Sequence, residues 1–134
     1  MNHLILPLTK SSWRSGRIGP IEMQDWYVAL AKAVALHVKF PNSKILVLSN
    51  VQVVGCEHEV DCSLFALHKL GVCDGDILVV REAQETIEQL EIARDITRKE
   101  GTALVVISTG FHYLRVRWLM RGFNAMHYWV FGIP

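Results

Sequence analysis

The chain has 134 residues, of which 51% are hydrophobic and 20% are charged. That length and composition are typical of one globular domain with a filled core, and we treat 1–134 as a single domain. Fourteen basic residues nearly balance thirteen acidic ones, so no charge pattern indicates a nucleic-acid-binding protein.

Two short features bear on location and metal binding. The apolar stretch Leu4-Ile5-Leu6 is followed by Pro7 and is too short for a signal peptide or a membrane span. Cys56, Cys62 and Cys73 are odd in number and lack paired metal-type spacing. They are therefore interpreted as reduced thiols rather than zinc ligands. We expect a cytoplasmic protein with no membrane partner and no metal.

Apolar runs and helical periodicities alternate along the chain. The apolar runs predict strands at 3–8, 44–48, 77–80, 103–107 and 125–131. Apolar residues at steps of three and four predict helices at 21–38, 57–70 and 86–99, and a fourth helix that ends at Gly122. In the second helix, Leu64, Phe65, Leu67 and Leu70 are expected on the inner side.

This alternation of strands and helices predicts a three-layer α/β/α, Rossmann-like fold. Short connections between strand and helix favour a mainly parallel sheet of about five strands. Right-handed crossovers then put helices on both faces of the sheet. We predict the strand order 3-2-1-4-5, which brings the first and fourth strands together at the switch point where ligands bind in such sheets.

The segment 103–122 carries the clearest indication of a site. Its apolar run is typical of a strand buried on both faces, and we predict that Ser108, Thr109 and Gly110 form a turn at its carboxyl end. His112 and Arg115, three residues apart, then lie on one face near a helix start. Since helix N-termini favour anions, this segment predicts an anionic ligand.

Four segments that follow strands should converge at the carboxyl edge of the sheet. For each residue alone an ordinary structural role is the more economical interpretation, such as a strand end, a helix N-cap or an acidic first helical turn. Arg17, on a loop rich in glycine and basic residues, either meets the same ligand or is simply solvated. The candidate ligand-binding residues are Ser49, Asn50, Glu59, Thr86, Ser108, Thr109 and Arg115, and the candidate catalytic residues are His112 and Glu88.

The combination suggests acid–base chemistry beside an anion clamp. His112 can titrate near neutral pH, Arg115 can hold a carboxylate or phosphate through two hydrogen bonds, and Glu88 can orient the imidazole. The same residues would equally serve a binding site without chemistry. The chain contains none of the common nucleotide-binding or hydrolase fingerprints, so the cofactor is unknown and enzymatic activity is left open.

Four motif fragments, in order and with matching spacing, resemble the YdcF-like family, which includes SanA- and ElyC-type members. Ser49 ends the second strand, and Glu59 stands twelve residues before a Gly-Val pair at Gly71. Glu85-Thr86-Ile87-Glu88-Gln89 matches the family's Asn-Thr-x-Glu-Asn at Thr86 and Glu88. Ser108 to Val116 follows the family's Thr-Ser-x-Tyr/Phe-His-x-x-Arg-Ala, with His112 and Arg115 in place.

The resemblance covers about two thirds of the chain and implies a Rossmann-like fold with a pocket at the strand carboxyl ends. Some family members are linked to S-adenosylmethionine binding and others to cell-envelope integrity. The chain departs from the family in several ways. Asn50 and Val51 replace two glycines after Ser49, and Glu85 and Gln89 replace the two asparagines. It resembles a short, soluble, divergent member without the membrane anchor.

A second hypothesis is that the chain keeps the fold but acts as a catalytically inactive interaction protein or a homodimer. Tyr128, Trp129 and Phe131 belong to the last predicted strand. Aromatic residues on a strand at the edge of a sheet suit a protein interface.

Overall fold

In the part of the chain that the computed structural model describes, there are five parallel strands, four α-helices and a short 3-10 helix at Asp74–Asp76. The structure describes residues 1–8, 20–49, 58–83, 85–110 and 112–130, with the side chains of 20–25 excepted. The strands are β1 (His3–Pro7), β2 (Ser43–Leu48), β3 (Ile77–Val80), β4 (Ala103–Thr109) and β5 (Ala125–Val130). The helices are α1 (Pro20–Lys39), α2 (Glu59–Lys69), α3 (Thr86–Glu100) and α4 (His112–Leu119).

The strand order is β3-β2-β1-β4-β5, and all four pairings are parallel. The predicted Rossmann-like class and the predicted strand order are therefore confirmed. In the register, His3 lies beside Ser43 on one side and beside Ala103 on the other. The strand order reverses between β1 and β4, so the switch point lies where the sequence predicted it.

Two helices cover each face of the sheet, which explains why the strands are apolar throughout. Ile5, Ile45 and Val105 pack with the inner residues of α1 and α2. Leu4 and Val106 point to the opposite face and pack with α3 and α4. Alternate side chains of the central strands are thus buried on both faces.

The end of β4 differs from the prediction. Ser108 and Thr109 are not turn residues; they continue the strand and lie beside Trp129 and Val130 of β5. Both are almost completely buried. Their backbone groups have a neighbouring strand to pair with, and this outweighs the turn preference of small polar residues. The turn follows one residue later at Gly110, where φ is +54°.

Two helix predictions are also corrected. Phe65 was expected on the inner side of α2, but 66% of it is exposed. The core-facing stripe of α2 includes Val60, Ser63, Ala66 and Leu67, so the prediction for Leu67 is confirmed. The last helix ends at Leu119 rather than at Gly122.

Among the helices in the described part of the chain, none combines the length and the apolar composition needed to cross a bilayer.

Candidate functional site

A buried carboxyl group lies at the carboxyl end of β2. Glu59, the first residue of α2, is only 4% exposed, and the side chain of Ser49 hydrogen-bonds to it. Burial raises the pKa of Glu59 to about 8, against the opposing effect of the Ser49 hydrogen bond. At neutral pH this carboxyl group is therefore mostly protonated and can donate a hydrogen bond or a proton.

The space beside Glu59 is small. A cavity of about 10 Å³ is lined by Ser49, Glu59 and Ser63 among others, with Pro7 of β1 on its wall. That volume holds about one water molecule. The indole N–H of Trp26 donates a hydrogen bond to the Ser63 hydroxyl at 3.2 Å.

The first turns of α3 and α4 meet at the same edge of the sheet. The hydroxyl oxygen of Thr86 lies 3.3 Å from Nε2 of His112, in hydrogen-bonding contact, although the two residues are 26 positions apart. Each is the first residue of its helix, and both are half-buried. The N-cap of α3 is Glu85 rather than Thr86, so the Thr86 hydroxyl is directed to the imidazole. This contact brings the positive ends of two helix dipoles together.

Glu88 and Arg115 both lie on the exposed side of this region. Arg115 follows His112 by three residues on α4, which puts the guanidinium within one turn of the helix start. Glu88 lies two residues into α3 from Thr86. The contact of His112 that joins the two helix starts is the one to Thr86. A role of Glu88 in orienting the imidazole stays a prediction.

Ser108 is engaged in a different group of side chains. Its hydroxyl lies 2.5 Å from Nε2 of His127 on β5, and the imidazole stacks on Tyr113 with ring centroids 4.5 Å apart. Burial, followed by the charge of Arg117, lowers the pKa of His127. Sequence reasoning found no partner for His127. The available signal was its register: His127 and Ser108 lie on the same face of neighbouring parallel strands.

Gln89 was also missed. It is 6% exposed, and its side-chain N–H donates a hydrogen bond of 3.0 Å to the backbone carbonyl of Leu48 at the end of β2. The available signal was helical spacing, because Gln89 lies four residues before the buried Ala93 on the inner stripe of α3. Gln89 fixes the start of α3 to the strand end that precedes Ser49.

The remaining candidate residues differ in their placement. Thr109 is buried at the end of β4. Asn50 and Arg17 lie outside the described residues. Within the described ranges, no three histidine, cysteine, aspartate or glutamate side chains are grouped so that they could hold a metal ion.

The chain was compared with protein families, curated proteins and solved structures. No protein-family model matches the sequence, and neither the curated proteins nor the solved structures give a match.

Proposed function

We propose that the chain binds a small anionic or nucleotide-type molecule at the carboxyl edge of its sheet, beside the switch point. The observation that carries the proposal is the contact between Thr86 and His112, which joins the starts of α3 and α4. Two helix N-termini attract negative charge, and Arg115 adds a full positive charge one turn further on. S-adenosylmethionine is one molecule of the nucleotide type to be tested.

Two groups at this edge are suited to proton transfer if the bound molecule reacts. Glu59 carries a proton at neutral pH because burial raises its pKa to about 8. His112 has a hydroxyl partner and partial exposure, so it can accept a proton from a ligand or donate one to it. In a binding protein without chemistry, the same two groups act as hydrogen-bond donors to the ligand.

Membership of the YdcF-like family is part of the same proposal. The Gly71-Val72 pair follows the C-terminal end of α2. The other described residues that match its motifs end β2 or β4, or lie in the first turns of α2, α3 and α4. These other positions all belong to one edge of the sheet, where that family is expected to have its pocket, and this supports the assignment. The odd cysteine count supports a reducing, cytoplasmic location.

A thermal-shift screen of the purified chain tests the proposal. The compounds are nucleotides, S-adenosylmethionine, sugar phosphates and inorganic phosphate, each applied to the wild type, Arg115→Ala and His112→Ala. A ligand at about 100 times its Kd adds roughly 2.7 kcal/mol to the free energy of unfolding. With at least one of these compounds, we expect a rise in Tm for the wild type that is lost in Arg115→Ala and reduced in His112→Ala.

Arg117→Ala is the matched control, since Arg117 is another exposed arginine of α4. It removes the same charge two residues away and should keep the ligand-induced rise in Tm. The proposal is wrong if every compound that shifts Tm does so equally in the wild type, Arg115→Ala and His112→Ala.

Homodimerisation without catalysis is the second candidate function, and exposed apolar residues favour it. Leu114 and Trp118 lie one turn apart on α4 and are 66% and 60% exposed. Trp129, on the edge strand β5 of the described sheet, is 48% exposed. An edge strand beside an exposed apolar helix face can pair with a second copy of the same surface.

Sedimentation velocity at increasing protein concentration tests this second function. We expect a dimer in the wild type that Trp118→Ser weakens, with Phe65→Ser as control because Phe65 is equally exposed on α2. A chain that stays monomeric at high concentration rules the dimer out.

A further inference from the structure

A larger polar cavity lies at the opposite, amino-terminal edge of the sheet. Its volume is about 240 Å³, and it is enclosed by the end of α3, the start of β4 and the turn that follows α4. Arg94 and Arg98 line it from α3, Thr102 precedes β4, and Asn124 precedes β5. None of these residues belongs to the carboxyl-edge site.

Two residues that line this cavity each carry a buried hydrogen-bond donor that makes no hydrogen bond to the described residues. The Nε of Arg94 and the hydroxyl of Thr102 are both buried from solvent, and within the described chain neither makes a hydrogen bond. The nearest charged partner of Arg94 is Asp95, whose carboxylate oxygen lies 3.9 Å from Nε, beyond hydrogen-bonding distance, and whose side chain is largely exposed. Buried polar groups of native proteins are nearly always hydrogen-bonded, so these two donors can bind an acceptor that enters the cavity once their side chains turn toward it.

The charge of the cavity identifies that acceptor as an anion. Arg94 and Arg98 are separated by one turn of α3, and the described residues that line the cavity include no acidic side chain. The cavity adjoins the C-terminal end of α3, whose dipole amounts to about half a negative charge. Two full guanidinium charges outweigh it, and the N–H of Gly101 already binds the Thr97 carbonyl at that end.

The side chain of Arg94 is held in place by an aromatic ring. The guanidinium carbon of Arg94 lies 4.7 Å from the ring centroid of Phe123, so the side chain is stacked on an aromatic face. Phe123 and Leu104 form the apolar part of the cavity wall. The site therefore combines oriented donors for an anionic group with an apolar surface for an organic part.

From this we infer that the cavity binds the phosphate group of a small organic phosphate. Two guanidiniums, the Thr102 hydroxyl and the Asn124 amide supply more donors than the two oxygens of a carboxylate accept. The oxygens of a phosphate can accept several of them at once. The inference is independent of the function proposed for the carboxyl edge, because the two sites share no residue.

Isothermal titration of the full chain with inorganic phosphate tests this site, with succinate as the dicarboxylate comparison. We expect Arg98→Gln to weaken phosphate binding by at least about tenfold, since a charge-assisted hydrogen bond is lost. Lys99→Gln removes the same charge from an exposed neighbour that does not line the cavity. It should change the affinity by less than about twofold.

A second variant removes a donor without changing charge. Thr102→Val should weaken phosphate binding by roughly fivefold or more, because the loss of one hydrogen bond costs about 1 kcal/mol. Arg115→Ala should leave phosphate binding at this cavity unchanged, which separates the two sites.

Three results would overturn the inference. The first is an absence of phosphate binding at millimolar concentration. The second is phosphate binding that survives Arg98→Gln and is lost in Arg115→Ala. The third is succinate binding as tight as that of phosphate.

Discussion

The two edges of the sheet differ in whether their buried polar side chains are hydrogen-bonded. At the carboxyl edge described polar side chains make four hydrogen bonds within the fold, and the cavity beside Glu59 holds about one water molecule. At the amino edge a cavity of about 240 Å³ contains two buried donors without a hydrogen bond. The bonds at the carboxyl edge are Ser49 to Glu59, Thr86 to His112, Ser108 to His127 and Gln89 to the carbonyl of Leu48.

The comparison separates two ways in which a site is prepared for a ligand. At the carboxyl edge, internal hydrogen bonds stabilise the fold without a ligand. The binding free energy of a ligand there would therefore come mainly from its attraction to Arg115 and to the helix dipoles. At the amino edge, the unpartnered donors contribute favourable free energy only when an acceptor binds to them. Removing a hydrogen-bonded side chain at the carboxyl edge should therefore lower the stability of the ligand-free chain, whereas removing an unpartnered donor at the amino edge should raise it.

The largest expected effect concerns Glu59 and pH. Between pH 4.5 and about 8 the folded chain keeps the Glu59 proton, whereas the unfolded chain has lost it. The free energy of unfolding therefore falls as pH rises through this window, by a contribution on the order of 4 kcal/mol. Glu59→Gln should remove that contribution, and urea titrations at pH 5 and pH 8.5 measure it.

The control for this pH experiment is Glu91→Gln, which changes an exposed carboxylate on α3. It should retain the wild-type slope, since water solvates that group in both states. If the free energy of unfolding changes equally with pH in the wild type and in Glu59→Gln, Glu59 does not retain its proton in the folded chain.

Replacing Gln89 should have the next largest effect. Gln89→Leu fills the same core position with an apolar side chain of similar size but leaves the Leu48 carbonyl without its side-chain donor. The expected loss is about 1–3 kcal/mol in the free energy of unfolding, measured by urea denaturation. Glu91→Leu, an exposed change on the same helix, should cost less than about 0.5 kcal/mol. A loss no larger for Gln89→Leu than for this control would argue that the bond is unimportant.

Replacing two threonines of the amino edge should have the smallest effects on the free energy of unfolding, and these effects should have opposite signs. Thr102→Val replaces an unpartnered buried hydroxyl with a methyl group and should raise the free energy of unfolding of the phosphate-free chain by about 1 kcal/mol. Thr97→Val removes a hydroxyl that donates 2.8 Å to the Arg94 carbonyl, and it should lower that free energy by a similar amount. Changes of the same sign in both variants would contradict the difference between the two hydroxyls.

The sequence predicted the framework of the fold because its physical signals are local. Apolar runs bounded by polar turns mark strands that are buried on both faces, and the strand order followed from the rule that places the switch point beside β1. Ser108 and Thr109 were assigned wrongly because their turn preference is local while their pairing with β5 is not. Phe65 was misplaced because hydrophobicity alone does not determine which side of α2 packs against the sheet.

The sites were harder to predict because they depend on contacts between distant segments. Helix starts and strand ends led to Thr86 and His112, yet their contact requires the relative placement of α3 and α4. The amino-edge cavity joins the end of α3 to the turn after α4. Arg94 and Arg98 have the appearance of ordinary surface arginines in the sequence, and only the fold shows which of their neighbours lack partners.

The position of β1 in the sheet also determines how the chain has to fold. His3 pairs with Ser43 on one side and with Ala103 on the other. On a ribosome the first pairing becomes available long before the second, because synthesis proceeds from the N-terminus. During that interval one side of β1, a central strand of the finished sheet, has no neighbour and is a template for unwanted strand pairing. The arrival of β4 closes that exposed edge, and its distance along the chain makes this step slow relative to local folding.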